Sequence, residues 1–157
     1  MAEKTYRIGV ISDTHGLMRG EALAALAGVD HILHAGDVGD IAILERLREL
    51  APVTAIRGNV DTRGTVAALP ETEVVELAGK TFYLLHDLNQ LDLDPRAAGF
   101  AAVVSGHTHQ ALIANRNGVC YINPGSAGPL RFRLQPSIAF ARISGEDLVT
   151  EILDLHV

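Results

Sequence analysis

Residues 6–15 read YRIGVISDTH, an apolar run that ends in four polar residues, and this stretch decides the fold. A short run rich in Ile and Val is typical of a buried strand, so we predict a β-strand over 6–11. The patterns that follow predict a helix over 19–27, a strand over 31–35, a helix over 41–50 that Asp40 caps and Pro52 ends, and a strand over 53–56. Strands that alternate with helices in this way are typical of parallel β-strands with crossover helices. We therefore predict a βαβαβ unit at the start of the chain.

The second half of the chain is predicted to be richer in strands. Runs at 73–77 and 81–85 flank Ala78-Gly79-Lys80, a connection too short for a helix, and predict a hairpin. Further strands are predicted over 100–104 and, as short antiparallel strands with Asn-Gly and Ser-Gly turns, over 111–114, 119–122, 137–143 and 148–155. The pattern as a whole predicts a mixed α/β fold in which residues 1–157 form a single domain.

Composition narrows the classes of function. The chain has 157 residues, 48% of them hydrophobic, which is enough for one compact core. A net charge of −6, 4% aromatic residues and no Trp argue against a nucleic-acid partner. The longest wholly apolar run, 22–27, is too short for a membrane span, so no membrane partner is predicted. One cysteine, Cys120, and a first segment without an apolar signal region favour a cytoplasmic location.

A residue that can ligate a metal follows each of five apolar runs. The carboxyl ends of parallel strands share one edge of an open α/β sheet, which is where ligands bind. A single Asp or His at such a place is usually a cap, but the repetition at five strand ends is hard to explain by chance. We expect this edge to bring together two carboxylates, one amide and four imidazoles: Asp13, His15, Asp37, Asn59, His86, His107 and His109.

The chemistry of this set suits a pair of divalent metal ions. Three of the residues directly follow glycine, at Gly36, Gly58 and Gly106, where the backbone has to leave the strand sharply and pass close to a crowded ionic centre. A set without thiolate suits Mn, Fe, Ni, Co or Zn better than a structural zinc site or a calcium loop. Seven ligands are too many for one ion. Two ions that share a carboxylate would each have about four protein ligands and keep positions for water and substrate.

The same residues resemble the motifs of the calcineurin-like metallophosphoesterases, most closely the small YfcE-like phosphodiesterases of bacteria and archaea. The matching motifs are Asp13-x-His15, Gly36-Asp37, Gly58-Asn59 with Asp61, His86 after a strand, Gly106-His107-Thr108-His109, and the later loop Asn123-Pro124-Gly125-Ser126. The resemblance implies a four-layer αββα sandwich with a dinuclear site, for which we expect Mn, with Ni, Fe, Co and Zn as alternatives.

Carried over residue by residue, the resemblance implies a ligand set for each metal. One metal would be held by Asp13, His15, Asp37 and His109, and the other by Asp37, Asn59, His86 and His107. Asp37 would bridge the two, and a metal-bound hydroxide would be the nucleophile. Asp37, Asn59 and His107 are accordingly the expected catalytic residues.

The sequence departs from the family pattern at two positions. Many relatives have His after the Gly-Asn pair, where it helps to protonate the leaving oxygen, but this chain has Val60, so we expect a preference for acidic leaving groups. His86 is followed by Asp87 where Gly is more usual, and Asp87 is left with three alternatives: orienting His86, contacting solvent or acting directly. Arg131 and Arg133 are candidates for holding a substrate phosphate, with a solvated surface pair as the alternative.

We therefore predict a metal-dependent hydrolase of small phosphate esters, and a phosphodiesterase rather than a phosphomonoesterase. The alternatives are a non-catalytic protein-binding scaffold of the same fold, as in the retromer subunit that resembles this family, a phosphomonoesterase, or a nuclease. The sequence leaves the oligomeric state open, a homo-oligomer included.

Overall fold

The computed structural model describes residues 4–131 and 133–157. In chain order its helices and strands are β1 (Tyr6–Ile11), α1 (Gly20–Leu26), β2 (His31–His34), α2 (Ile41–Arg48), β3 (Val53–Ala55), β4 (Thr72–Leu77), β5 (Lys80–Leu85), β6 (Ala102–Val104), β7 (Leu112–Arg116), β8 (Val119–Asn123), β9 (Ser137–Ser144) and β10 (Asp147–Asp154). Two 3-10 turns lie over Thr65–Ala68 and Leu88–Gln90.

The strands form two five-stranded sheets. The first has the order β10-β9-β1-β2-β3 and the second has the order β4-β5-β6-β8-β7. β1, β2 and β3 are parallel, which confirms the predicted βαβαβ unit. The expectation that all five metal-binding strand ends share the edge of one sheet is wrong, because β5 and β6 belong to the second sheet. β8 pairs antiparallel with β7, as predicted, but it also pairs in parallel with β6.

Alternation along β1 explains why the two sheets stack. Ile8 and Val10 point into the apolar core between the sheets, whereas Ile11 points to the helices. Gly9 lies between Ile8 and Val10 in β1 and faces the helices, where a Cβ atom would collide with Leu26 of α1. The missing side chain therefore lets α1 pack directly on the sheet. Burial of an aliphatic side chain such as Ile8 or Val10 stabilises the fold by about 1.5–3 kcal/mol.

The helices cover one outer face of the sandwich. In α2 the buried side chains Ile43, Leu44 and Leu47 have helical spacing, and the Asp40 carboxylate accepts the Ala42 N–H at 2.9 Å as the predicted N-cap. Proline at position 52 is consistent with the end of the helix at Arg48.

The other outer face is covered by an irregular segment. Leu88, Leu91 and Phe100 pack on Tyr83 and Val103 of the second sheet, and they lie in the 3-10 turn and the loop before β6. The molecule thus has the four layers expected: the helices, the two sheets and this irregular segment. In the described residues the second helical layer of the predicted αββα sandwich is formed by a 3-10 turn and a loop. No helix within 4–131 and 133–157 has both the length and the apolar character needed to cross a membrane.

Candidate metal centre

All seven residues predicted from the sequence come together at the ends of β1, β2, β3, β5 and β6. We call this cluster the candidate metal centre. Five of its residues have left-handed backbone, a conformation that costs a residue with a Cβ atom about 1–2 kcal/mol. They are Asp13 (φ 56°), His15 (φ 47°), Asp37 (φ 54°), His107 (φ 72°) and His109 (φ 64°). Strain of this kind persists only where the surrounding structure over-determines the backbone.

The loop after β1 is held against the loop after β2 by backbone hydrogen bonds. The N–H groups of Asp13, His15 and Gly16 donate to the carbonyls of Gly36, Asp37 and Val38, at 3.0, 2.9 and 2.8 Å. The ladder between the two strands therefore continues into the loops. It fixes the backbone of Asp13 and Asp37 independently of any bound ligand.

Two buried carboxylates lie among three imidazoles. Asp13 Oδ1 lies 3.7 Å from His15 Nε2, 3.8 Å from His86 Nε2 and 3.3 Å from His109 Nε2. Asp37 Oδ2 lies 3.6 Å from His15 Nε2 and 3.1 Å from His86 Nε2. These atoms form two overlapping groups of metal-ligand type, Asp13 with His15 and His109, and Asp13 with Asp37 and His86.

Asn59 and His107 complete the cluster on its exposed side. His107 Nδ1 lies 3.3 Å from Asn59 Oδ1, and the His107 ring lies 5.2 Å from the His86 ring. The His107 backbone N–H donates to Asp13 Oδ2 at 3.1 Å, which ties the loop after β6 to the loop after β1. The two sheets therefore meet at this cluster.

The three glycines before the ligands are required by space. A Cβ atom on Gly36 would lie 2.7 Å from His86 Nδ1, and one on Gly58 would lie 2.8 Å from Asp37 Cγ. A Cβ atom on Gly106 would lie 3.1 Å from Ser12 Cβ and would collide with the Ser12 hydroxyl. Of the three, Gly36 also has left-handed backbone, with φ 100°. The expectation that a side chain would be in the way is confirmed at all three positions.

The buried atoms of the cluster fit a bound cation. Asp13 Oδ1, His15 Nε2, His86 Nε2 and His109 Nδ1 are buried without a hydrogen-bond partner. Each such group costs about 1–3 kcal/mol if nothing compensates it. Four such atoms within one cluster are the strongest indication that a bound cation completes the centre.

His86 shows this most directly. Its Nδ1 lies 2.7 Å from the Ala35 carbonyl, which only accepts, so Nδ1 carries the proton. In the neutral ring, Nε2 then presents a lone pair to Asp37 Oδ2 at 3.1 Å. A proton on Nε2 or a cation beside the two atoms relieves this contact, and the donor set of nitrogen and oxygen suits a divalent metal.

The pKa shifts in the cluster favour ionised carboxylates. Burial raises the pKa of Asp37, but the His86 imidazole and the Val60 N–H outweigh burial and hold this pKa at about 2. Burial lowers the pKa of His86, but the Asp37 and Asp13 carboxylates and the Ala35 carbonyl outweigh it and raise this pKa above its ordinary value. The centre is therefore electrostatically prepared for positive charge.

Asp61 has a structural role that the sequence analysis did not assign. Its buried carboxylate accepts three backbone N–H groups, from Val38 at 3.0 Å and from Gly39 and Gly58 at 2.9 Å. It thereby clamps the loop after β2 to the loop after β3. The sequence indicates this role only through the position of Asp61 three residues after Gly58. Its other two partners, Val38 and Gly39, lie 23 and 22 residues away in the chain, and no local pattern predicts them.

His34 is a second buried support. Its Nδ1 accepts the Gly36 N–H at 3.1 Å, so its Nε2 carries the proton and donates to the Thr14 hydroxyl at 3.0 Å. Complete burial lowers the pKa of His34 to about 4, which keeps the ring neutral. A neutral His34 therefore joins the loops that carry Asp13 and Asp37.

The Asn123–Ser126 loop supports the centre from the second sheet. Asn123 Nδ2 donates to the Gly106 carbonyl at 3.0 Å, and the Ser126 hydroxyl donates to the Asp13 carbonyl at 3.0 Å. The Ala127 N–H donates to the Ser12 carbonyl at 3.1 Å. The Asn123–Ser126 motif therefore supports the loops after β1 and β6, which carry ligand residues.

The two candidate arginines are both exposed. Burial lowers the pKa of His109; the Asp13 carboxylate raises it, and the charge of Arg131 lowers it further, so Arg131 acts electrostatically on His109. Arg133 lies in the exposed turn that follows. Phe132 between them lies outside the described residues.

Comparison with known proteins identifies the family. The family model of the calcineurin-like phosphoesterase superfamily domain matches residues 6–146. A probable metallophosphoesterase of Methanothermobacter thermautotrophicus is 35% identical over 158 residues, which covers 93% of this chain and 91% of the relative. A phosphodiesterase of Methanocaldococcus jannaschii is 24% identical over 76% of this chain and 82% of its own length.

Among solved structures, Vacuolar Protein Sorting 29 from Cryptosporidium parvum superposes with a TM-score of 0.82. The match covers 97% of this chain and 92% of that chain at 21% sequence identity. At this identity the likeness shows the fold alone.

Proposed function

The chain belongs to the calcineurin-like phosphoesterase superfamily, and on that premise we propose that it is a divalent-metal-dependent phosphodiesterase that acts on small phosphodiesters. The observation that carries the proposal is the set of buried side-chain atoms without hydrogen-bond partners in Asp13, His15, His86 and His109. The phosphodiesterase of M. jannaschii supports the reaction class from a distance.

The proposed ligand sets are those that the resemblance implied. Asp13, His15, Asp37 and His109 would hold one metal, and Asp37, Asn59, His86 and His107 would hold the other. The position of Asp37 Oδ2, within 3.6 Å of His15 Nε2 and 3.1 Å of His86 Nε2, supports a bridging role. When bound, such a metal pair would supply the Lewis acidity that activates water and offsets the charge of the phosphoryl group. We propose Mn as the native metal.

The protein residues orient and tune this centre. The Ala35 carbonyl fixes the ring of His86, and the Val60 N–H holds Asp37 Oδ1 at 3.0 Å. Asn59 contributes a neutral amide where a third carboxylate would add negative charge. The centre therefore stays more attractive to an anionic substrate.

Position 60 bears on the leaving group. Val60 follows Asn59 at the exposed side of the cluster and is 45% exposed, and its side chain has no proton to give. We expect rates to fall steeply as the pKa of the leaving phenol rises across a series of aryl diesters. Val60→His should flatten this dependence, whereas Val60→Asn should leave it as steep as in the wild type.

A groove beside the centre leaves room for a second ester arm. It has a volume of about 680 Å³, and its lining includes Asn59, His86 and His107 of the centre together with Tyr83 and Leu85 of β5. A phosphomonoester would leave this space unused. The groove therefore favours a diester as the substrate.

The proposal is tested by hydrolysis of bis(p-nitrophenyl) phosphate as metal is titrated into chelator-treated protein. We expect Mn to restore activity, and we expect Asp37→Ala and His107→Ala to lower kcat/KM by about 100-fold or more. Matched controls are Asp147→Asn on β10 and His156→Ala near the end of the chain, which should behave as the wild type.

Equal rates in the wild type and both site variants would contradict the enzymatic proposal and favour the protein-binding scaffold. A strand-cleavage assay on the same preparations distinguishes a nuclease. We keep a single domain over 1–157 and a cytoplasmic location as proposals from the sequence pattern and the lone Cys120.

A further inference from the structure

Asp87 lines the groove together with residues of the candidate metal centre. Its Oδ1 accepts the Asn89 N–H at 3.0 Å, where the 3-10 turn Leu88–Gln90 begins. Its Oδ2 lies 3.9 Å from His107 Nε2 on a side chain that is 27% exposed. The turn therefore fixes one oxygen of Asp87, while the other faces the candidate metal centre. Asp87 does not orient His86, because the Ala35 carbonyl holds that ring.

No fixed cation balances Asp87 within the described part of the groove. Arg57 is the one Lys or Arg among the described lining residues. Its guanidinium is already engaged, since it donates to Glu71 Oε1 at 2.7 Å and to the Ala67 carbonyl at 3.2 Å. A second carboxylate, Asp92, lines the same groove and is exposed. The described lining of the groove is therefore anionic.

The part of the groove lining that β5 contributes is uncharged. Tyr83 and Leu85 are nearly buried in β5, and the Tyr83 ring stacks on Phe100 with ring centroids 5.1 Å apart. These two side chains offer contact to an apolar arm or to one with hydroxyl groups, and the carboxylates of Asp87 and Asp92 favour a cationic arm. A negatively charged arm is repelled by the same carboxylates.

We propose that Asp87 makes this site selective for phosphodiesters whose groove-side arm carries no negative charge, over phosphomonoesters and nucleic-acid strands. This inference rests on the proposed phosphodiesterase function and names its substrate class. Asp87 is a specificity-determining residue, and its charge is the feature that selects.

The charge of the substrate determines how large the effect of Asp87 should be. Coulomb energy is proportional to the charge of the substrate, so a fixed carboxylate penalises a dianion twice as much as a monoanion in free energy. If removal of the Asp87 charge raises kcat/KM for a monoanionic diester by about threefold, the dianionic monoester should gain about the square of that factor, roughly tenfold. A nucleic-acid strand carries further phosphates next to the scissile one, so it meets the same repulsion.

The experiment compares three p-nitrophenyl esters on Mn-loaded protein. They are the dianionic p-nitrophenyl phosphate, the monoanionic bis(p-nitrophenyl) phosphate, and p-nitrophenyl phosphocholine, whose arm is cationic. We expect Asp87→Asn to raise kcat/KM most for the monoester, less for the neutral-arm diester and least for the phosphocholine ester. Asn keeps an oxygen for the Asn89 N–H, so the turn should persist, and thermal unfolding checks this.

Two further variants separate charge from shape. Asp87→Glu keeps the charge and should keep the wild-type order of substrates, whereas Asp147→Asn removes a distant exposed charge and should change nothing. An equal gain or loss on all three esters in Asp87→Asn would overturn the proposal, because a merely structural role does not depend on the charge of the substrate. The same holds if Asp87→Glu behaves like Asp87→Asn.

A binding measurement keeps the proposal testable if the wild type hydrolyses none of the esters. Calorimetric titration of the Mn-loaded protein with phenyl phosphate and with diphenyl phosphate requires no turnover. In Asp87→Asn we expect phenyl phosphate to bind about tenfold more tightly and diphenyl phosphate about threefold. Inactivity with this binding pattern would contradict the phosphodiesterase and leave the selectivity standing, whereas unchanged binding would overturn the selectivity alone.

Discussion

The β4–β5 and β7–β8 hairpins share glycine and left-handed backbone with the candidate metal centre, but for different physical reasons. In the hairpins, Ala78 and Gly79 (φ 50° and 84°) and Asn117 and Gly118 (φ 52° and 80°) form two-residue turns between paired strands. No atom would lie within 4 Å of a Cβ added to either glycine. At the centre, by contrast, a Cβ on Gly58 would collide with Asp37. Glycine is therefore needed in the hairpins for its backbone conformation, and at the centre because a side chain would not fit.

The strongest test of this comparison is alanine at one glycine of each region. Gly58 does not have left-handed backbone, so Gly58→Ala should cost about 3 kcal/mol or more through crowding alone. Gly118→Ala has free space and should cost about 1–2 kcal/mol through its φ of 80°. Urea unfolding of metal-free protein measures both values. Equal costs would show that the centre can relax around a side chain.

The next largest expected effect is a loss of stability in acid, which distinguishes the candidate metal centre from the hairpins. Because His34 has a folded pKa of about 4 against an ordinary value of 6.5, the unfolded chain takes up a proton in this range that the folded protein does not. Stability of the metal-free protein should therefore decline as the pH falls from about 6.5 to about 4, by up to about 3 kcal/mol. Asp37, with a pKa of about 2, contributes stability that is lost only below this window.

His34→Asn provides the check on this prediction, because Asn keeps an acceptor for the Gly36 N–H and does not titrate. Denaturant unfolding at several pH values should show a flatter profile for this variant between pH 6.5 and 4. The exposed His156→Asn should retain the wild-type slope. A wild-type slope in His34→Asn would place the acid sensitivity elsewhere.

The smallest expected effect lies in the first hairpin and has the opposite sign. Ala78 has φ 50°, and glycine at this position would remove the strain of its Cβ atom. Ala78→Gly should stabilise the protein by about 0.5 kcal/mol after the greater freedom of glycine in the unfolded chain is included. Asn117→Gly should gain less, since Asn tolerates this backbone well. Thermal unfolding that ranks Asn117→Gly above Ala78→Gly would contradict this explanation.

Much of the fold follows from local pattern. The strand over Tyr6–Ile11 is observed with the predicted bounds, and the other predicted elements differ at their ends by one or two residues. Apolar periodicity and turn residues act over a few positions, so a single sequence displays them. The assignment of β5 and β6 to a second sheet was not visible, because strand pairing depends on segments far apart in the chain.

The sequence by itself determined which side chains come to the candidate metal centre, since they stand directly after apolar runs that had to become strands. Only the tertiary structure decided how those side chains are held. The Ala35 carbonyl that sets the His86 proton, the Asp61 carboxylate that joins two loops, and the left-handed backbone of His107 all arise from contacts between distant segments. Such contacts depend on how the two sheets pack, and packing is a property of the whole chain.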